Sequence, residues 1–371
     1  KRRAGLALME GRSGTTDLQP RWRFPLLAIG IISLVVGTLA GLLRLGWAQA
    51  AVAAPYTGSH GVLMVAAFFG TLISLERAVA LADWRAYLVP GAAALGGVTL
   101  LLQGSPAVIQ TLFILAGAGL TLTSVEVYRR QPERHNIILV LGAASWLAAS
   151  LALLLGASID SILFWWMDFF VLTIAGERLE LNRMRPASDR AISLFSLIVI
   201  ITVISHIATT SGLVAQWIGY LGYGAIALWL LTWDIARHTA RQQGLTRFMA
   251  LCMLSGYLWL LLSALLCTGV ITTPFLRDAQ LHALFLGFVF SMVFGHAPII
   301  FPAVTRLRIP YTPLFYIPLI LLQVTLALRL YGDFTASPSW RTLGGVGNGL
   351  ALALFLLLTV ATIIRFNLPR R

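Results

Sequence analysis

Residues 279–304 read AQLHALFLGFVFSMVFGHAPIIFPAV, twenty-six positions without a single Asp, Glu, Lys or Arg. As a helix this run is longer than the roughly 30 Å hydrocarbon core of a bilayer. The rest of the chain has the same character. Of 371 residues 58% are hydrophobic and 11% charged, and the mean hydropathy is +0.85. A soluble domain carries about twice that charged fraction. Twelve apolar runs are long enough to count as spans: 24–48, 60–82, 87–102, 106–126, 136–156, 159–182, 190–211, 213–236, 247–270, 279–304, 311–331 and 342–366. The third is short, and its Pro90 predicts a kink or a shallow tilt. The expectation is therefore an all-α polytopic protein with twelve transmembrane helices. Residues 1–23 form a cytoplasmic N-terminal segment, 24–366 the membrane domain and 367–371 a cytoplasmic tail.

The charge pattern sets an orientation. The 27 Lys and Arg against 14 Asp and Glu give +13, which on a soluble chain suggests nucleic acid. Here the cations sit in short loops, and topology explains them without nucleic acid. Lys1-Arg2-Arg3, Arg21 and Arg23, Arg85, Arg129-Arg130 with Arg134, Arg183 with Arg185 and Arg190, Arg237 with Arg241 and Arg247, Arg306 with Arg308, and Arg370-Arg371 all fall on one side. The positive-inside rule makes that side cytoplasmic, with both termini on it. The expected location is a bacterial inner membrane, with lipid as the immediate partner and oligomerisation left open. Cys252 and Cys267 share one apolar run and build no disulfide framework.

A repeat links the second and sixth spans. Phe68-Phe69 is followed after six residues by Glu76-Arg77, and Phe169-Phe170 after six residues by Glu177-Arg178; the tenth span echoes this loosely with Phe288, Phe290 and His296. Spans two, six and ten are four apart. Three four-helix units around a common centre, a pseudo-threefold arrangement, would produce that spacing.

Intramembrane ionisable residues are functional candidates by default. His135 and His238 fall beside loop arginines and read as solvated. His60 opens span two, His206 ends span seven and His282 begins span ten, all towards the outer side. His296 is about 21 Å further inward than His282, level with Glu76 and Glu177. A haem between two helices takes one imidazole from each, and its propionates need cations near the aqueous boundary. His60 and His282 are the expected ligand pair, and Arg44, Arg329 and Arg341 the expected cations, their plain alternative being snorkelling to headgroups. His206 has two readings: a copper ligand with Met64 or Cys267 as a soft partner, or a hydrogen bond to a nearby carbonyl.

At the inner end, Glu76, Glu177 and His296 can bind a metal or pass protons. The competing expectation is a cross-helix ion-pair network, Glu76 with Arg178 and Glu177 with Arg77. Asp168 follows Trp165-Trp166-Met167 deep in span six. It is either a proton carrier, the hydrogen-bond partner of a ligand imidazole, or a satisfied core acid. No Walker motif, GxSxG, HExxH, CxxC or CxxCH occurs, so nucleotide hydrolysis, serine or zinc proteolysis and covalent haem attachment lack support. Gly344-Gly345-Val346-Gly347 opens an apolar helix and reads as close helix packing.

Twelve spans, histidines on the second, seventh and tenth, and a three-by-four repeat together resemble the catalytic subunit of the haem-copper oxidase and nitric-oxide reductase superfamily. That resemblance implies axial haem ligands at His60 and His282. It also implies a second haem ligand beside His282 and copper ligands on helices six and seven. This chain has Gln280 and Leu284 two residues either side of His282, no histidine on helix six and only His206 on helix seven. The usual binuclear oxygen-reducing centre is therefore not expected. Closer is the NnrS family of haem- and copper-containing membrane proteins associated with nitric-oxide stress. His282-Ala283-Leu284 with Gly287 and Met292 is similar to that family's span-ten segment, and His60-Gly61 to its early membrane histidine. Phe294-Gly295-His296-Ala297-Pro298 departs from it. The resemblance implies haem b, with copper as a further cofactor at His206 or His296, and a redox partner or quinol. Its activity is electron transfer or sensing, or an oxidoreductase acting on nitrogen oxides or oxygen. Two rival expectations are a haem-free proton- or cation-coupled transporter using Asp168, Glu76, Glu177 and His296, and a structural subunit of a respiratory complex.

Overall fold

The computed structural model describes residues 17–184, 187–208, 213–268 and 270–367. Lys1-Arg2-Arg3, Arg185, Arg370-Arg371 and most of the two terminal segments lie outside the described residues. Every regular element among those described is helical. Among the described residues eleven helices are long and apolar enough to cross a membrane: α1 (Pro20–Arg44), α2 (Ala48–Leu81), α4 (Pro106–Arg130), α5 (Arg134–Leu154), α6 (Ile159–Leu181), α7 (Asp189–Ile207), α8 (Val214–Trp233), α9 (Gly244–Cys267), α10 (Leu276–Thr305), α11 (Pro313–Phe334) and α12 (Pro338–Asn367). Between α2 and α4 lies α3 (Leu88–Leu101), with 14 residues and a length of about 21 Å at 1.5 Å per residue. Helices dominate because a chain in hydrocarbon must satisfy its backbone N–H and C=O groups internally. Pro90 stands in the first turn of α3, where proline is tolerated.

α2, α6 and α10 are the most enclosed helices, with 61%, 67% and 61% of their apolar windows buried, ahead of α9 at 56%. They meet through the aromatic residues of the repeat. The Phe69 ring centroid is 4.7 Å from that of Phe170 and 5.3 Å from that of Phe290. Phe68 stacks on Phe290 at 6.2 Å, and Phe170 meets Phe285 edge-on at 5.6 Å. Offset and edge-to-face pairs of this kind each contribute about 0.5–1.5 kcal/mol beyond area burial. The other helices surround this centre and present Leu, Ile and Val outward, as a lipid-facing surface requires.

Two residues read from the sequence as belonging to loops prove to be structural. Arg23 is buried, with its guanidinium donating to Asp17 at 2.6 Å and to the Val304 carbonyl at 3.1 Å. This ties the start of α1 to the end of α10. His135 is not solvated either: it is buried in the first turn of α5 and lies 3.4 Å from Arg183.

Candidate functional site

His60 sits inside α2, following a 3₁₀-helical stretch, Ala48–Ser59, that packs along α1. On α1 the sequence Gly37-Thr38-Leu39-Ala40-Gly41 places two glycines four residues apart on one face, a spacing that lets helix backbones approach closely. A Cβ on Gly41 would lie 2.8 Å from His60 Cε1, and one on Gly37 would lie 2.9 Å from Met64 Sδ. The bare backbone lets the His60 ring nest against α1, with Nδ1 2.7 Å from the Gly37 carbonyl. A proton on Nδ1 donates to that oxygen, which directs Nε2 to the other side of the ring.

His282 is arranged in the same way. Its Nδ1 is 2.8 Å from the Asp278 carbonyl and 3.3 Å from Asp278 Oδ1. Arg329 Nη2 is 3.2 Å from both ring nitrogens. An atom equidistant from the two at that range lies over the ring face, because an in-plane position would collide with Cε1. Both histidines also lead into π-helical stretches, Leu63–Phe69 after His60 and Ala283–Phe290 immediately after His282. A π turn holds an extra residue and rotates the residues before it relative to those after it. Such turns recur at functional sites.

The two imidazoles line one cavity of about 420 Å³, within the 300–1,000 Å³ range of small-molecule sites. Met64, Phe69, Trp166 and Phe290 form apolar lining. Arg44, Arg277, Arg329 and Arg341 border it against two carboxylates, Asp160 and Asp278, giving a formal excess of cations. Arg329 holds Asp278 with contacts of 2.9 and 3.1 Å from Nη2 and 3.2 Å from Nε. Arg341 donates to Asp333 Oδ1 at 2.6 Å and reaches Asp278 at 3.6 Å. Arg277 pairs with Asp160. Among the described residues Arg44 has no ion pair. Arg44, His60, His282, Arg329 and Arg341 thus come together at one site. Asp278 and Arg277 belong to it too, and sequence reasoning passed over both. For Asp278 the signal was present, since it lies four residues before His282 on the same helix face.

His206 stands apart from this cavity. Its Nδ1 is 2.8 Å from Asp168 Oδ2, while Asp168 Oδ1 accepts from the Tyr223 hydroxyl at 2.8 Å. All three side chains are buried, and Phe164 stacks on the His206 ring at 4.8 Å. Among the described residues His206 Nδ1 is thus partnered by Asp168. Met64 lies in the His60 cavity rather than with His206. Cys252 and Cys267 are both free and buried. Among the described residues no three His, Cys, Asp or Glu side chains gather as a metal-ion site.

The opposite end departs from the expected ion-pair network. Arg178 does not pair with Glu76. Its Nε and Nη2 donate to Asp234 at 2.7 and 2.8 Å, and the Tyr257 hydroxyl donates to the same carboxylate at 3.1 Å. Glu177 forms no ion pair with Arg77. Among the described residues Glu76 and Glu177 have no hydrogen-bonded partner, although Arg77 is within electrostatic range of both. His296 places Nδ1 3.0 Å from the Met292 carbonyl, and lies within electrostatic range of Arg178 and Asp234.

Fold and site define an all-helical membrane protein with a histidine- and arginine-lined cavity at one end of its central helices. The chain belongs to the family described as a domain of unknown function, DUF8744, whose model matches residues 23–364. No curated protein matches the chain.

Proposed function

We propose that the protein is an integral membrane haem protein in which His60 and His282 hold one b-type haem. The observation that carries this reading is the pair of imidazoles bordering one cavity. They come from different spans, and each has Nδ1 placed against a backbone carbonyl. Ligating histidines are ordinarily oriented through their other ring nitrogen in this way. Arg44, Arg329 and Arg341 border the same cavity and suit two propionate carboxylates, for which Arg offers forked donors. Such a haem would supply a one-electron centre held by His60 and His282, which suits electron transfer or sensing better than turnover. The chain's own part is to orient the imidazoles, to provide an apolar wall from Phe69, Trp166 and Phe290, and to neutralise carboxylates at the rim.

The same reading takes α3 as a short twelfth span, both termini as cytoplasmic and the membrane as a bacterial inner membrane. It takes α2, α6 and α10 as the centre of an oxidase-like pseudo-threefold array. The enclosure of these helices and their shared phenylalanine contacts support that array. A role in nitric-oxide response rests on the span-ten resemblance alone. Copper at His206 or His296 is not part of the proposal, since among the described residues neither gathers with two further His, Cys, Asp or Glu side chains.

A pyridine haemochrome spectrum with iron analysis on detergent-purified protein tests the proposal. About one b haem per chain, lost in His60→Ala and in His282→Ala, is the expected result. A colourless, iron-free protein overturns it. That outcome favours a second reading, proton- or cation-coupled transport, for which the observation is the pair of unbonded carboxylates, Glu76 and Glu177, inside the membrane domain.

A further inference from the structure

Asp278 is the third residue of α10, where a carboxylate is ordinarily explained by the helix dipole and the free amides of the first turn. Its contacts here are different. Oδ1 is 3.3 Å from His282 Nδ1, both oxygens accept from Arg329, and Oδ2 lies 3.6 Å from Arg341. It therefore touches one histidine and two arginines of the cavity, while its own backbone carbonyl lies 2.8 Å from Nδ1 of that histidine. Asp278 itself lines the cavity and is three-quarters shielded from solvent. The other histidine has no counterpart, because Nδ1 of His60 meets only a backbone carbonyl.

Building on the haem reading above, we propose that Asp278 is the positioning residue of the centre. Its backbone carbonyl accepts from His282 Nδ1 at 2.8 Å, while its carboxylate, 3.3 Å from Nδ1, enriches that imidazole as a donor and holds Arg329 at the rim. A negative charge beside Nδ1 would make Nε2 a stronger donor and favour the more highly charged ferric iron over ferrous. His60, whose Nδ1 meets a backbone carbonyl and no carboxylate, would be the weaker ligand.

Asp278→Asn keeps the size of the side chain and the backbone carbonyl while removing the anion. In purified full-length protein it is expected to weaken haem binding 10–100-fold, the usual cost of losing such an outer partner. It is also expected to raise the midpoint potential by about 59 mV or more, a tenfold change in the ferrous-to-ferric ratio for one electron. Asp278→Glu, which retains the charge, recovers most of the affinity. If Asp278→Asn does not fold, ferric EPR of the wild type is decisive. A carboxylate charge beside Nδ1 that enriches the imidazole contracts the g spread relative to two unperturbed neutral imidazoles, and an uncontracted spread overturns the proposal. A folded Asp278→Asn protein with unchanged affinity and potential also overturns it, while leaving the haem assignment intact. A wild type without haem overturns both.

Discussion

Arg178 and Asp234 are 56 residues apart in sequence, nearly inaccessible to solvent, and joined by two hydrogen bonds. The pair is stable only as a unit, because either charge alone would be stranded where water cannot solvate it. Breaking a buried pair by removing one partner costs about 3–5 kcal/mol. Arg178→Ala is expected to lower stability by that order, read as a fall in the thermal midpoint of the detergent-solubilised protein. Its haem content should change little where the fold persists. The Tyr223–Asp168–His206 chain predicts a smaller effect. Tyr223→Phe leaves Asp168 Oδ1 without its hydroxyl donor and should cost about 1–3 kcal/mol in the same assay. The sequence marked Arg178 and Asp168 as ionisable residues in hydrocarbon but named neither Asp234 nor Tyr223. Partner choice between helices depends on rotation and depth, and no local pattern encodes those.

At the scale of elements, close approach is set by glycine. A Cβ on Gly70 of α2 would lie 2.5 Å from Trp146 Cζ2 of α5, in a core where Trp146 also stacks on Phe169 of α6 at 5.4 Å. Gly70→Ala is thus expected to destabilise by about 1–3 kcal/mol through overpacking, measured against wild type in the same thermal assay. The glycine-rich opening of α12 behaves as its sequence suggests: a Cβ on Gly344 would collide with the Arg329 backbone of α11. The Gly37 and Gly41 pair on α1 had the same legible spacing, but its consequence, a carbonyl offered to His60, depends on which helix lies opposite. The π-helical stretches after His60 and His282 were not legible at all. Their sequences are ordinary apolar runs, and the wider turn is chosen by packing against neighbours.

For the whole molecule, an even number of crossings puts both termini on one side, so the topology depends on whether the short α3 crosses. With α3 spanning, alkaline phosphatase fused after Gln103 should be active and a fusion after Gln131 inactive. The reverse pattern, inactive after Gln103 and active after Gln131, would count α3 as re-entrant and leave eleven crossings.

Helical class and membrane residence were written in the sequence itself. Lipid imposes length and apolarity on every span, and the Phe-Phe and Glu-Arg repeat marks two of the three central helices. Which groups meet was decided only by the tertiary structure. The cavity joins His60 of α2, His282 of α10 and arginines of α1, α11 and α12 from places 16 to 281 residues distant from His60. Asp278 and Asp234 acquire their roles there because a buried charge must find a partner, and in a bundle that partner is whatever the neighbouring helix presents at the same depth.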